Sequence, residues 1–229
     1  IEALAARVTE AQGLRREASE EAELLLAAQL KKIRHKLLES NYPKKKIGDI
    51  AQVASGGTPS RDNPTYWGGD IPWIKTGELV DGDILNAEEH ITQEGMKNSS
   101  AKLFPPETIL VALYGQGQTR GRTARLMIEA TTNQACCVIL PTPEILESRF
   151  TQYWQRSLYY EMREKSHGGA QPNWNGSMIK NIEIALPPLE EQRRLVSYLD
   201  GLQAQVSKLR ATQGETAREL NALMPSVLD

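Results

Sequence analysis

Histidine and cysteine are scarce in this chain, with three and two among 229 residues. His35, His90 and His167 stand apart, with no zinc-ligand spacing and no Ser or Asp partner pattern around them, which argues against a metal centre or a nucleophile–base pair. Cys136 and Cys137 are neighbours inside the apolar run 135–140, where a disulfide or a metal would be sterically strained, so both read as buried thiols of a reducing cytosol. No Gly-Lys dipeptide occurs, which excludes a Walker A phosphate loop. No glycine fingerprint opens a helix after a strand, which excludes dinucleotide and S-adenosylmethionine sites of the usual form. No apolar stretch approaches the roughly 20 residues of a membrane span, and no signal-peptide pattern is present. A soluble, cytoplasmic protein without a membrane partner is expected. Neither sign of charge dominates: 27 Lys+Arg stand against 29 Asp+Glu, so any nucleic-acid surface has to be a local concentration of cations. The chain starts at Ile1 in mid-helix pattern without Met, which reads as a fragment or an incompletely shown chain.

Residues 1–41 lack proline and hold a single glycine, Gly13; they are dense in Ala, Leu, Glu, Lys and Arg and end in Lys31, Lys32, Arg34 and Lys36. This predicts one long helix with cations at its negative end. Residues 190–229, after Pro187-Pro188 and with Glu190 and Glu191 in the first turn, predict a second. Its seam repeats in heptads through Leu199, Leu202, Val206, Leu209, the polar Gln213 and Thr216, then Leu220, Leu223 and Val227. In the first helix Ile1, Leu4, Val8 and Ala11 follow that spacing, and Leu26, Leu30, Ile33 and Leu37 follow it in a shifted frame, which implies a stutter. Two such seams predict an antiparallel coiled coil with arms of roughly 55–60 Å. Counting outward puts Gly13 level with Gly214 and sets Gln213 and Thr216 near Ala18 and Arg15, so a close approach or bend is expected there.

Between the helices, residues 42–189 change to short strands and turns. Strands are expected at 47–53, 71–75, 108–114, 124–128, 134–140 and 181–186. An amphipathic helix is expected to start at Thr142-Pro143-Glu144 and to bury Leu146, Phe150, Tyr153, Trp154, Leu158 and Met162. The fold class is therefore α+β: a mixed α/β domain flanked by two long antiparallel coiled-coil helices. The catalytic decoys are weak. Asp62-Asn63-Pro64-Thr65-Tyr66 approximates the Asn-Pro-Pro-Tyr motif of amino-group DNA methyltransferases but lacks the second proline, and an Asx-turn explains it. Glu190 and Glu191 point apart on a helix and stabilise its start.

Three loops combine glycine, amide and cation in a way suited to DNA. The first, 55–61, carries Thr58, Ser60 and Arg61, with Gly56-Gly57 allowing close backbone approach; a plain inter-strand turn is the alternative. In the second, 114–122, Gln116, Gln118, Thr119, Arg120 and Arg122 include the side chains that make paired hydrogen bonds to adenine and guanine edges; a solvated hairpin tip is the alternative. The third, 165–175, carries Lys165, His167, Asn173 and Trp174, with a core position for Trp174 as the competing reading. Lys75-Thr76 and Asn133-Gln134, at strand ends, are weaker candidates. The run Lys44-Lys45-Lys46 reads as a solvated hinge or a phosphate-positioning patch.

These residues, in order, resemble a specificity subunit of Type I restriction-modification systems. The carriers are Ile47-Gly48-Asp49-Ile50 leading to Gly56-Gly57-Thr58-Pro59-Ser60, then 66–74 (Tyr66-Trp67-Gly68-Gly69-Asp70-Ile71-Pro72-Trp73-Ile74), Thr132-Asn133-Gln134-Ala135, and the exit 184–192 ending in Leu189-Glu190-Glu191-Gln192. The resemblance implies a non-catalytic subunit with one target recognition domain where the family's subunit has two. It implies double-stranded DNA and modification subunits as partners, restriction subunits indirectly, and a homodimer if the chain is a half-length subunit. S-adenosylmethionine, ATP and Mg would then belong to partner subunits, and this chain would hold no cofactor or metal. A DNA-reading part of a fused methyltransferase or restriction enzyme, and a coiled-coil protein-binding scaffold, are the competing classes.

Overall fold

Ala-, Leu- and charge-rich sequence without proline carries α1 from Glu2 to Glu39. The computed structural model describes residues 2–115, 118–164 and 174–228, with side chains over 6–115, 118–163 and 174–219. After α1 come β1 (Lys44–Lys46), α2 (Ile47–Ile50), β2 (Val53–Ser55), β3 (Trp67–Ile74), β4 (Asp83–Ile84), β5 (Glu89–Ile91) and α3 (Gln93–Lys97). Then follow β6 (Ile109–Ala112), β7 (Thr123–Leu126), β8 (Thr131–Thr132), β9 (Cys136–Ile139), α4 (Ser148–Arg156), α5 (Tyr159–Glu164), α6 (Gly176–Lys180), β10 (Glu183–Ala185) and α7 (Leu189–Leu228). The chain divides into two compact units, one of residues 1–32 with 197–229 and one of residues 33–196.

In the first unit α1 and α7 run antiparallel: Gln29 Nε2 donates to the Tyr198 hydroxyl at 2.9 Å while Glu23 pairs with Arg210, so positions fall along one helix as they rise along the other. Leu26, Leu30 and Leu199 are buried in it. Along α7 the shielded positions 199, 202, 206, 209, 213 and 216 keep the expected heptad. Along α1 the shielded positions include 8, 11, 15, 18 and 22, then 26 and 30. The first five follow the heptad spacing, and the step from 22 to 26 to 30 departs from it, which accommodates the expected frame shift. The close approach at the glycines is not found: a Cβ added to Gly13 or Gly214 meets nothing within 4 Å. The side chains of Leu4, Leu220 and Leu223 lie outside those described.

In the second unit a five-stranded sheet of order β2-β9-β6-β7-β4 is joined by a three-stranded sheet β5-β3-β8 and a pair β1-β10. The β4–β7 and β3–β8 pairs are parallel and the remaining pairs antiparallel. Strand alternation sorts β6 and β9 cleanly. Ile109, Val111, Cys137 and Ile139 face one core with Phe150 and Trp154, while Leu110, Ala112, Cys136 and Val138 face another with Ile74, Leu79 and Phe104. Buried on both faces, these strands read as unbroken apolar runs. Burial pushes the Cys136 and Cys137 thiols up to about 12, so both stay protonated at neutral pH. Leu37 and Leu195, with Ile33, Leu38 and Val196 beside them, pack into the first of these cores. The inner turns of α1 and α7 thus belong to the domain and not to the helix pair.

Three local expectations are corrected. Residues 47–53 are not one strand. Ile47 turns into α2, and a Cβ at Gly48 would lie 2.9 Å from Lys180 Cβ, which explains the glycine. Lys44–Lys46 is no hinge but a strand paired with β10, its exposed lysines typical of a protected sheet edge. The helix expected from Thr142 begins only at Ser148, because Glu147 caps it through Phe150 N at 2.5 Å. The preceding turn is clamped by buried Gln192, which accepts from Glu147 N at 2.8 Å and donates to Ile145 O at 3.0 Å and Pro187 O at 2.9 Å.

Candidate nucleic-acid interface

Sheet register decides where the loops go. Ser55, Cys137, Val111 and Thr123 are successive cross-strand neighbours in β2, β9, β6 and β7. The chain therefore leaves β2 and β6, and enters β9 and β7, at one end of the large sheet. Loops 56–61 and 133–135 emerge there together, with the described residues 113–115 and 118–122. In the small sheet β3 and β8 run parallel with Ile74 beside Thr132, and Asn133 N donates to Ile74 O at 3.0 Å, which brings Lys75 and Thr76 to the same end.

The first loop is held rigidly. Gly57 N donates to Thr132 O at 2.8 Å, Trp73 Nε1 donates to Gly57 O at 2.9 Å, and Trp67 Nε1 donates to Ser60 O at 3.1 Å. A Cβ at Gly56 would sit 2.1 Å from Thr132 O, and one at Gly57 2.3 Å from Ser100 Oγ. The glycine pair thus serves close packing of the protein on itself. Thr58 donates to Gln134 Oε1, and Ser60 Oγ accepts from Asp62 N at 3.3 Å. The Arg61 guanidinium lies 3.5 Å from the centroid of the Trp67 ring and pairs with Glu89 at 2.5 Å. Lys75 Nζ meets Glu89 at 2.9 Å and Glu88 at 3.0 Å. Hydrogen bonds from Arg61 and then Lys75 hold the Glu89 carboxyl below its usual range, and the hydrogen bond to Glu89 raises Lys75.

The second loop is tied to α5 and to the turn before β4. Tyr159 Oη donates to Gln118 O at 3.1 Å, and Arg122 Nη2 donates to Gln118 Oε1 at 3.2 Å. Arg122 Nη1 pairs with Asp81 at 2.6 Å, and the guanidinium stands 5.2 Å from the centre of the Tyr159 ring. Asp81 adopts a positive φ of 62°, stabilised by accepting from Thr123 N at 2.9 Å and Thr123 Oγ1 at 3.1 Å. Thr119 O accepts from Arg122 N at 3.0 Å, and Arg120 is half-buried beside it. Asn133 spends its side-chain oxygen on Ala135 N at 3.2 Å, while Gln134 is exposed.

Not every sequence candidate reaches this surface. Trp174 is 7% exposed and belongs to the core with Phe150 and Trp154, so its ring is not presented to a ligand. Gln116, Lys165, His167 and Asn173 lie outside the described residues. Asn63 makes the Asx-turn, accepting from Thr65 N at 3.1 Å. Sequence reasoning passed over Glu88, Glu89 and Asp81, the carboxylates that hold the loop cations, because isolated acids on short strands and turns carry no pattern of their own. Trp67 and Trp73, whose rings meet edge to face at 5.0 Å, stand in the motif 66–74 that carried the family resemblance.

Residues 39–215 match the family described as the Type I restriction modification DNA specificity domain. The chain is 33% identical over 172 residues to the Type I restriction enzyme MjaIX specificity subunit of Methanocaldococcus jannaschii, covering 72% of this chain and 39% of that protein. It is 28% identical over 159 residues to the EcoR124I/EcoR124II specificity subunit of Escherichia coli, covering 68% and 39%. Among solved structures, one on complex assembly and conformational transition of the type I R-M system superposes with a TM-score of 0.77 at 27% identity, over 100% of this chain and 56% of the other. The HsdS subunit from Thermoanaerobacter tengcongensis superposes at 0.66 and 26% identity, over 100% and 55%. The chain thus spans about two fifths of the curated relatives and just over half of the solved chains. With that family match over more than half of its length, the chain belongs to the Type I restriction modification DNA specificity family.

Proposed function

We propose that this chain reads one half of a bipartite, asymmetric site on double-stranded DNA for a restriction-modification complex and performs no chemistry itself. The single observation that carries the reading is the convergence of Thr58, Ser60, Arg61, Lys75, Gln118, Arg122 and Gln134 on one end of the domain. Arginine and glutamine make paired hydrogen bonds to base edges, and lysine and hydroxyls suit phosphate oxygens. The helix pair serves as spacer and as seat for modification subunits. Its apolar groove of about 440 Å³, lined by Leu25, Leu26, Leu202, Val206 and Leu209, supports this, since Leu25 is 71% exposed there. Restriction subunits join through the modification subunits, which carry the S-adenosylmethionine site, while ATP and Mg serve the restriction subunits. A homodimer supplies the second half-site reader if the working subunit is half-length.

Exchange of residues 42–189 for the domain of another family member, followed by mapping of methylated positions in the host genome, tests the reading. One half of the methylated motif should change while the other half and the gap persist. An unchanged motif refutes it.

A further inference from the structure

A carboxylate stands where a DNA-reading surface has least use for one. Glu89 lies opposite Trp73 in the β3–β5 register, and its two oxygens are divided between two cations: Oε2 takes Arg61 Nη1 at 2.5 Å and Oε1 takes Lys75 Nζ at 2.9 Å. The surroundings hold this arrangement in place. Glu78 accepts from Lys75 N at 2.8 Å and from Glu88 N at 3.0 Å, which fixes the strand ends bearing Lys75 and Glu89. Trp67 lies under the Arg61 plane, and both indole N–H groups pin the loop at Gly57 and Ser60. Arg61 is nevertheless half exposed, at 50% of its side-chain surface. With its plane on an indole and Nη1 engaged, the guanidinium keeps the parallel Nε–Nη2 donors, the edge that suits a guanine O6 and N7.

We propose that Glu89 is a specificity-positioning residue, which aims Arg61 at one base and, by offsetting the charge of Arg61 and Lys75, discourages binding to phosphate backbone of any sequence. The inference rests on the DNA-reading function proposed above. Its logic is electrostatic. Phosphate attraction is independent of sequence, whereas the paired hydrogen bonds of a fixed guanidinium depend on the base. Two cations offset by Glu88 and Glu89 contribute less to the first than unpaired ones would and leave the second intact. The lowered Glu89 carboxyl keeps its charge throughout the neutral range, so the device is always on.

The test uses the full-length chain assembled with modification subunits and a library of randomised DNA duplexes. Wild-type selection defines the preferred base at each position, and affinities for preferred and unrelated duplexes are then measured from low to moderate salt. E89Q keeps the shape and removes the charge. Its affinity for unrelated duplexes should rise at low salt, with a salt slope steeper by about 0.9, while preference at one base pair falls on the order of tenfold. R61K, which keeps the charge and loses the fork, should lose the same base preference with an unchanged salt slope. Equal loss of affinity by E89Q for every duplex, an unchanged salt slope, or full base preference in R61K would each overturn the assignment. Failure of the wild-type assembly to select any sequence would overturn the DNA reading with it; selective binding by a wild type from which E89Q is indistinguishable overturns only the role of Glu89.

Discussion

Gly56 and Glu89 show how much of the proposed reading surface depends on contacts the protein makes with itself. A side chain at position 56 would be driven into Thr132 O at 2.1 Å, and a backbone atom in a sheet cannot give way. Gly56→Ala should cost about 1–3 kcal/mol or more in unfolding free energy, measured from the denaturant midpoint, and shift the loop bearing Thr58 and Arg61. Glu89 and Lys75 make an opposite-charge pair whose pH window follows from the directions of their shifts. Glu89 is held below its ordinary 4.5, so its contribution is complete above that value and disappears as pH falls through the folded one. Lys75 is raised above its ordinary 10.5, so its contribution is complete below that value and disappears as pH rises through the folded one. The melting-temperature difference between wild type and E89Q should therefore be flat across neutral pH and shrink on acidification below 4.5. At this scale the sequence displayed the donors, since Arg61, Gln118 and Arg122 stand in glycine-rich loops. It did not display Glu89 or Asp81, whose partners lie 28 and 41 residues away. Of the two readings open for Trp174, loop contact and core, the structure takes the core.

Among the elements, the two long helices were the most legible and the short strands the least. Helix length and seam come from residue type and spacing within one segment, so α1 and α7 lie where the pattern put them, with Leu26, Leu30 and Leu199 inward. Leu30→Ala should destabilise the helix pair by about 2–5 kcal/mol. Leu25→Ala, at an exposed position, should leave the chain's own stability within roughly 0.5 kcal/mol while weakening capture of modification subunits. Thermal melts and co-purification separate the two, and a Leu25→Ala chain that captures partners normally would exclude the groove as their seat. The strand β1 is the counter-example. Three lysines have poor strand preference, yet pairing with Glu183–Ala185 makes them one, because backbone hydrogen bonding to a distant segment outweighs a few tenths of a kcal/mol of propensity. The start of α4 was missed for a related reason. Thr142-Pro143-Glu144 carries a good cap signal, but Gln192, from the opening of α7, holds the following turn in another shape.

For the whole molecule the proposed division of labour places base choice in the domain and the distance between half-sites in the helices. Insertion of four residues into the outer part of both helices adds about 6 Å and slightly more than a full turn. Methylome mapping should then show a longer gap between otherwise unchanged half-sites; an unchanged gap would remove the spacer role. The α+β class, the positions of both long helices, their complementary seams and the absence of a phosphate loop were all determined by sequence alone, because each is a property of residue spacing within a continuous segment. Which cations stand beside which carboxylates, which glycines serve packing, and where the inner helical turns leave the pair to join the domain core were decided only by tertiary structure. Those features depend on sheet register, which sets Ser55 beside Cys137 and Val111 beside Thr123 and so gathers loops far apart along the chain at one end of the sheet.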